Sequence, residues 1–184
     1  MKPLLTDRLL LRPFVAADAD DLHSEVYSDF EVVRYYSGKG VLTFEQTQEH
    51  LISHLAAWSE GTLGRLAVVR RDGEQFLGQV HLDAYVNTFH RWRDEPQPRF
   101  NPLEVELAFA FGRQFWGRGY AYEACQAVIR YAFADLYLQR LVGGVAAENV
   151  RSVSLHRRLG YRIEPSLAGS GFVTILDNDL DRFG

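Results

Sequence analysis

The segment Gln114-Phe115-Trp116-Gly117-Arg118-Gly119-Tyr120-Ala121 has the residue types and spacing of a socket for a pyrophosphate. Two glycines one residue apart let the main chain curl close to an anion without Cβ clashes. The helix-like run that follows, Tyr120 to Ala134, offers unpaired N–H groups and the positive end of its dipole. Arg118 stands inside the turn and adds a guanidinium suited to phosphate oxygens. Two better-known phosphate loops do not fit. A nucleotide-hydrolysing loop needs Gly, four residues, then Gly-Lys and a hydroxyl residue; Gly112 and Gly117 have that spacing, but Arg118 holds the lysine place and Gly119 the hydroxyl place. A dinucleotide fingerprint needs a third glycine where Tyr122 stands. From the loop alone, an ordinary glycine-rich strand-to-helix turn remains open.

The residues downstream narrow the choice. A short apolar strand, Leu141 to Ala146, leads into Glu148-Asn149-Val150-Arg151-Ser152 and a brief helix that closes at Leu159-Gly160-Tyr161. Upstream, Thr6-Asp7-Arg8-Leu9-Leu10-Leu11-Arg12-Pro13 precedes a helix beginning near Asp18. The pattern Gln-x-x-Gly-x-Gly-x-Ala resembles the acetyl-CoA loop of the GNAT N-acetyltransferases. Asn-x-x-Ser followed by Gly-Tyr resembles that family's second signature, and the opening resembles its N-terminal one. Together with Trp-Gly-x-Gly-Tyr-Ala, the opening is similar to the ribosomal-protein N-terminal (alanine/serine) acetyltransferase branch. The resemblance spans most of residues 1 to 164, with the motifs in the expected order.

The resemblance implies an α+β fold of the acyl-CoA N-acyltransferase type, a central mixed, mostly antiparallel sheet flanked by helices, in one domain spanning residues 1–184. It also implies acetyl-CoA as cosubstrate. Gln114, Gly117, Arg118, Gly119, Tyr120 and Ala121 would take its phosphates. Leu107, Ala108 and Phe109, on the strand Val105 to Phe111 that splays from its neighbour in this family, would pair with pantetheine, and Asn149 would bond pantetheine or its surroundings. The chemistry is direct attack by an amine on the thioester, which needs a neutral nucleophile, close positioning, and a proton for the departing thiolate. Glu106 matches the acidic position common on this strand and is the candidate base, acting through a water. Alternation places Glu104 on the same side, so either carboxylate could serve, or both could face solvent.

For the proton donor the chain departs from a common family pattern, because His156 stands where many members carry tyrosine. The ribosomal-protein branch uses the serine of Asn-x-x-Ser, here Ser152. His156 is an alternative acid near neutral pH. Against these stand helix capping by Ser152, a solvated histidine at 156, and purely local turn chemistry at Asn149. The acceptor is a primary amine, a protein N-terminus or a small molecule. At neutral pH on the order of a tenth of α-amines are neutral, against a few parts in ten thousand for lysine, which favours the α-amine or a small amine. The other reading is a module of the same fold that binds acyl-CoA, or regulates, without efficient turnover.

Composition agrees with one compact domain. The chain has 184 residues, 47% hydrophobic and 24% charged, with a formal net charge of -4, enough to bury a sizeable core. No basic cluster dominates, which argues against general nucleic-acid binding. The first residues carry a charge and a proline before any apolar block, and no apolar run approaches a membrane span, so a cytoplasmic location is expected. Cys125, the sole cysteine, recurs with Ala121, Ala124, Val128 and Ala132 on one helix face and reads as a buried, inert thiol. His50 and His54 sit at i, i+4 without a third ligand, so no metal is expected.

Periodicity predicts strands at Arg8–Pro13, Leu66–Arg70, Phe76–Asp83, Val105–Phe111 and Leu141–Ala146, with further strands near Tyr161 and at Phe172–Leu176. Helices are predicted at Ala17–Tyr27, Phe44–Trp58, Tyr120–Ala134 and Ser152–Leu159. Thr43 and Gln46 form a capping-box pattern. Asn87 to Pro102 is a long connection with three prolines and interleaved aromatics and charges. It reads either as a substrate-gripping lid or as an extended loop at a homodimer contact. After Pro165 the sequence is shorter than the final segment that the ribosomal-protein branch leads one to expect, a region that shapes the acceptor site.

Overall fold

The computed structural model describes residues 2–36, 40–58, 63–86, 103–166 and 171–179. In chain order the strands are β1 (Leu4–Leu5), β2 (Leu9–Pro13), β3 (Gly64–Arg70), β4 (Phe76–Val86), β5 (Leu103–Phe111), β6 (Arg140–Val145), β7 (Arg162–Pro165) and β8 (Phe172–Asp177). The helices are α1 (Ala19–Leu22), α2 (Phe30–Val33), α3 (Phe44–Trp58), α4 (Tyr120–Arg130) and α5 (Val150–Leu159). A 3-10 turn, Ala16–Asp18, leads into α1, and π turns extend α1 over His23–Tyr27 and α4 over Tyr131–Asp135. The strands form one sheet in the order β1-β2-β3-β4-β5-β6-β8-β7. β5 runs parallel to β6, whereas β1/β2, β2/β3, β3/β4, β6/β8 and β7/β8 are antiparallel. The parallel pair is the one joined through a helix, as a crossover requires.

The chain divides into two compact units, Met1–Leu82 with Ala108–Val128, and Asp83–Leu107 with Ile129–Gly184. In the first unit, alternation along β2 buries Leu9 and Leu11. β2 pairs with β3 from Leu9↔Arg70 to Pro13↔Leu66. One face of β3 and β4 supplies Ala67, Val69 and Phe76 to a core completed by Phe14, just after β2, and by Leu22, Val26, Tyr27, Val33 and Leu51 from the helical layer. α3 begins where the capping box puts it: the Thr43 N–H donates to Gln46 Oε1 at 2.9 Å, and the Gln46 N–H donates to Thr43 Oγ1 at 3.3 Å. In the second unit, β6 pairs with β8 from Arg140↔Asp177 to Val145↔Phe172.

Several boundaries differ from the sequence reading, each for a local reason. α5 starts at Val150 rather than Ser152, because Asn149 is its cap and accepts from the Ser152 N–H at 3.2 Å. Ser152 therefore sits inside the first turn and is not the capping residue. β1 and α2 were not expected; they are two and four residues long, too short to carry a period. The run after the glycine loop changes from α to π geometry at Tyr131, which an apolar pattern does not register. Asn87–Pro102 lies outside the described residues. No helix among the described residues is long and apolar enough to cross a membrane.

Candidate functional site

The candidate residues fall into two groups, one in each unit. In the first unit, the segment after β5 is pinned at both ends. The Phe115 N–H donates to the Gly112 carbonyl at 2.9 Å, and Trp116 Nε1 donates to the Phe111 carbonyl at 2.7 Å. Phe115 is buried and Trp116 packs against the core, so the two aromatics anchor the loop while the glycines stay outside. Gly117 and Gly119 adopt φ of +75° and +81°, a region that side chains rarely tolerate. A Cβ at Gly117 would meet nothing within 4 Å, and one at Gly119 would meet only Arg8 Nη2, at 3.4 Å. The loop thus leaves open space in front of its main chain. The first α4 N–H groups lack intrahelical acceptors, and an open glycine turn before a helix start has the chemistry to take an anion.

The side chains expected here have distinct places. Gln114 is exposed, and its Nε2 donates to Glu25 Oε1 at 2.7 Å. Arg118 is exposed, and its carbonyl accepts from Arg8 Nη1 at 3.0 Å. The Tyr120 ring lies 4.5 Å beneath the Arg8 guanidinium. Ala121 is half-buried in the first turn of α4. Along β5, Leu107 is buried and Ala108 and Phe109 are half-buried.

In the second unit, the two carboxylates of β5 have different partners. Glu104 is 3% exposed and is gripped by Arg140, whose Nε donates to both carboxylate oxygens at 3.0 and 2.9 Å and whose Nη2 donates to Oε1. This bidentate pair occupies the Glu104 carboxylate. Glu106 is half-buried and makes a long contact from the Gly144 N–H at 3.4 Å. It sits at a registered pair of β5 with β6, Glu106↔Val142.

Gly143 is the key to what surrounds Glu106. A Cβ there would lie 3.8 Å from Glu106 Oε1, 3.8 Å from His156 Nε2 and 3.0 Å from Thr174 Oγ1. The glycine lets a carboxylate, an imidazole and a hydroxyl converge on its α-carbon, where any side chain would press on Thr174 Oγ1. His156 is buried on α5, with its ring 4.9 Å from that of Tyr161. Its Nδ1 lies 2.8 Å from the Ser152 carbonyl oxygen and 3.3 Å from Ser152 Oγ. A carbonyl can only accept, so Nδ1 carries the proton. Burial lowers the His156 pKa below its ordinary value, and the bond to Ser152 only partly offsets that. The neutral ring therefore presents the Nε2 lone pair on the Gly143 side. In this state His156 is a proton acceptor there.

Cys125 is fully buried, and burial pushes its thiol pKa up, which leaves it unreactive. His50 and His54 meet edge to face at 6.3 Å. Among the described residues, no group of three or more His, Cys, Asp or Glu could hold a metal. Sequence reading gave Arg8 no role at the site and missed Glu25, Glu123, Arg140, Gly143 and Thr174. Each acts through a partner far away in sequence, and no local spacing marks it.

The family model described as Acetyltransferase (GNAT) domain matches residues 8–162. The chain belongs to the GNAT acetyltransferases. It is 29% identical over 166 residues to an uncharacterized N-acetyltransferase, p20, of Bacillus licheniformis, covering 89% of this chain and 84% of that protein. It is 26% identical over 163 residues to the spermidine N(1)-acetyltransferase of Escherichia coli K12, covering 89% and 77%. Among solved structures, a GNAT-family acetyltransferase from Bacillus anthracis superposes with a TM-score of 0.75 at 23% identity, over 96% and 98% of the two chains. The ribosomal L7/L12 alpha-N-protein acetyltransferase RimL, in complex with coenzyme A, superposes with a TM-score of 0.71 at 14% identity, over 94% and 95%. At these identities the two structures establish the fold, which is the GNAT fold with its mixed eight-stranded sheet.

Proposed function

We propose that this chain transfers an acetyl group from acetyl-CoA to a primary amine by direct attack in a ternary complex, with Glu106 as base and Ser152 as proton donor. The observation that carries the assignment of roles is the convergence on Gly143 of the Glu106 carboxylate and Nε2 of a neutral His156. Acetyl-CoA supplies an activated acyl group as its thioester. The glycine loop, with Gly117, Arg118, Gly119, Tyr120 and Ala121, holds its phosphates; Gln114 is tied to Glu25 and helps to shape the loop. Leu107, Ala108, Phe109 and Asn149 are the candidate contacts for pantetheine.

Glu106 takes the proton that the amine nitrogen loses as its lone pair forms the new bond to carbon, by way of a water. The electron pair of the breaking C–S bond goes to sulfur. Ser152 gives the sulfur its proton. The Ser152 oxygen receives a weak bond from His156 Nδ1, which leaves the hydroxyl hydrogen to point elsewhere. Glu106 then returns its proton to solvent, and Ser152 regains one from it. His156 is an acceptor beside Glu106 in this scheme, and its imidazole keeps the pocket polar without adding a charge. Glu104 is a structural partner of Arg140.

The acceptor is proposed to be a polypeptide α-amine or a small polyamine-like amine. The α-amine is favoured by its larger neutral fraction near pH 7 and by the fold shared with an α-N-protein acetyltransferase. A small amine is favoured by the similarity to a spermidine acetyltransferase. The same reading treats the chain as one catalytic domain working in the cytoplasm. The test is thiol release from acetyl-CoA with peptides of free N-terminal Ala or Ser, blocked-terminus lysine peptides, and spermidine, with the acetyl mass gain followed on each. Release matched by acetylation of one amine class supports the enzyme. Tight CoA binding with no release across the panel would instead mark an acyl-CoA-binding module.

A further inference from the structure

The N-terminal signature Thr6-Asp7-Arg8 has no part in the chemistry above, yet it is fastened to the glycine loop. Glu123, in the first turn of α4, accepts from Thr6 Oγ1 at 2.6 Å, from the Arg8 main-chain N–H at 2.9 Å and from Arg8 Nε at 2.6 Å. Arg8 Nη1 donates to the Arg118 carbonyl at 3.0 Å, and the guanidinium lies over the Tyr120 ring. A guanidinium is a rigid planar fork of five N–H donors. Here Nε and Nη1 are taken, and the ring of Tyr120 fixes the plane. Among the described residues no acceptor takes Nη2, the nitrogen that lies 3.4 Å from the Cβ position of Gly119.

Charge points the same way. Burial alone would raise the Glu123 pKa, but the bonds from Thr6 and Arg8 outweigh it and hold the carboxylate below its ordinary range. A carboxylate ionised in the first turn of the helix that receives a phosphate would repel that phosphate. Arg8 cancels the charge and turns its remaining donor edge toward Gly119. We propose that Arg8 is a coenzyme-binding residue, locked by Glu123 and Tyr120 so that Nη2 donates to a phosphate oxygen of CoA. This rests on reading the glycine loop as the CoA phosphate site.

The test is calorimetric titration of wild type and Arg8→Ala with CoA and with 3′-dephospho-CoA, together with the KM for S-acetylpantetheine, which has no phosphate. Loss of one charge-assisted bond should weaken CoA binding about 10- to 100-fold, with the S-acetylpantetheine KM unchanged. An equal loss with dephospho-CoA assigns the contact to the pyrophosphate; a loss confined to CoA assigns it to the 3′-phosphate. Unchanged CoA affinity in a folded Arg8→Ala protein overturns the proposal, as does an equal rise in the S-acetylpantetheine KM. The double variant Arg8→Ala/Glu123→Gln removes the stranded carboxylate and guards against misfolding of the single variant. Binding that stays weak there supports a direct contact, and recovery to wild-type affinity shows that Arg8 only neutralised Glu123, which overturns it. Wild type that fails to bind CoA would sink the reading of the loop itself, a result distinct from a silent Arg8 variant.

Discussion

The glycine loop and the Glu106 cluster are built from opposite materials. The loop presents main chain: two glycines at positive φ, open space in front of them, and side chains that face inward as anchors or sideways as braces. The cluster presents side chains whose protonation states are set by what packs around them, Arg140 on Glu104 and the Ser152 carbonyl on His156. A main-chain device depends on residue type and spacing, and it tolerates change elsewhere. A side-chain device depends on a proton inventory that a single distant partner can alter. The two should therefore fail differently when mutated, one in coenzyme affinity and the other in turnover and pH dependence.

The largest expected effect is in the cluster. Glu106→Gln should lower kcat by roughly 10² to 10⁴, whereas Glu104→Gln should act mainly on stability by leaving Arg140 without its carboxylate. Steady-state kinetics paired with thermal melts would separate them; a collapse in kcat for Glu104→Gln with Glu106→Gln active would reverse the roles. In the loop, Gly119→Val forces a β-branched residue to φ near +81°, a strain of about 1–3 kcal/mol. CoA affinity should fall at least about 10-fold in a protein that still folds. Both effects sharpen the contrast.

A subtler test concerns the proton donor. Ser152→Ala should reduce turnover at every pH, because a hydroxyl does not titrate in the working range. The His156 ring must stay neutral, and burial sets its pKa below 6.5. Activity should therefore fall as pH drops through that depressed value, and His156→Gln should flatten the acid limb. An activity loss on the alkaline side that His156→Gln removes would mean the imidazole donates after all.

The smallest effect is on stability. Burial, then the nearby charges of Arg65 and His50, lower the His54 pKa from 6.5 to about 3. A depressed folded value means that the unfolded chain binds the proton first, so stability is intact above pH 6.5 and is lost as pH falls toward 3. His81, also lowered by burial and Arg65, adds in the same direction. Melting temperature should drop by about 3–5 °C per pH unit for each such histidine, and His54→Asn should reduce the slope. A melting profile flat from pH 7 to pH 5 would contradict these buried neutral rings.

How much of this was legible in the sequence follows from the same contrast. The loop, the strand before it and the helix after it were visible because turn glycines and apolar periods are local signals. The start of α3 was read to the residue because Thr43 and Gln46 write its cap into four residues. Which of Glu104 and Glu106 is engaged by a partner was not legible, since alternation puts both on one side of β5 and Arg140, which holds Glu104, lies 36 residues away. The tautomer of His156 was equally hidden. It depends on the Ser152 carbonyl, a main-chain atom aimed by a helix that starts two residues earlier than the pattern suggested. Arg8 was noticed as part of a signature, but its partner Glu123 lies 115 residues away.

The most direct test of this division is calorimetric titration of CoA into Gly119→Val and Glu106→Gln side by side, against wild type. The account predicts affinity lost in Gly119→Val and retained within about twofold in Glu106→Gln, though the latter hardly turns over. Equal loss in both, or full affinity in a folded Gly119→Val protein, would contradict it.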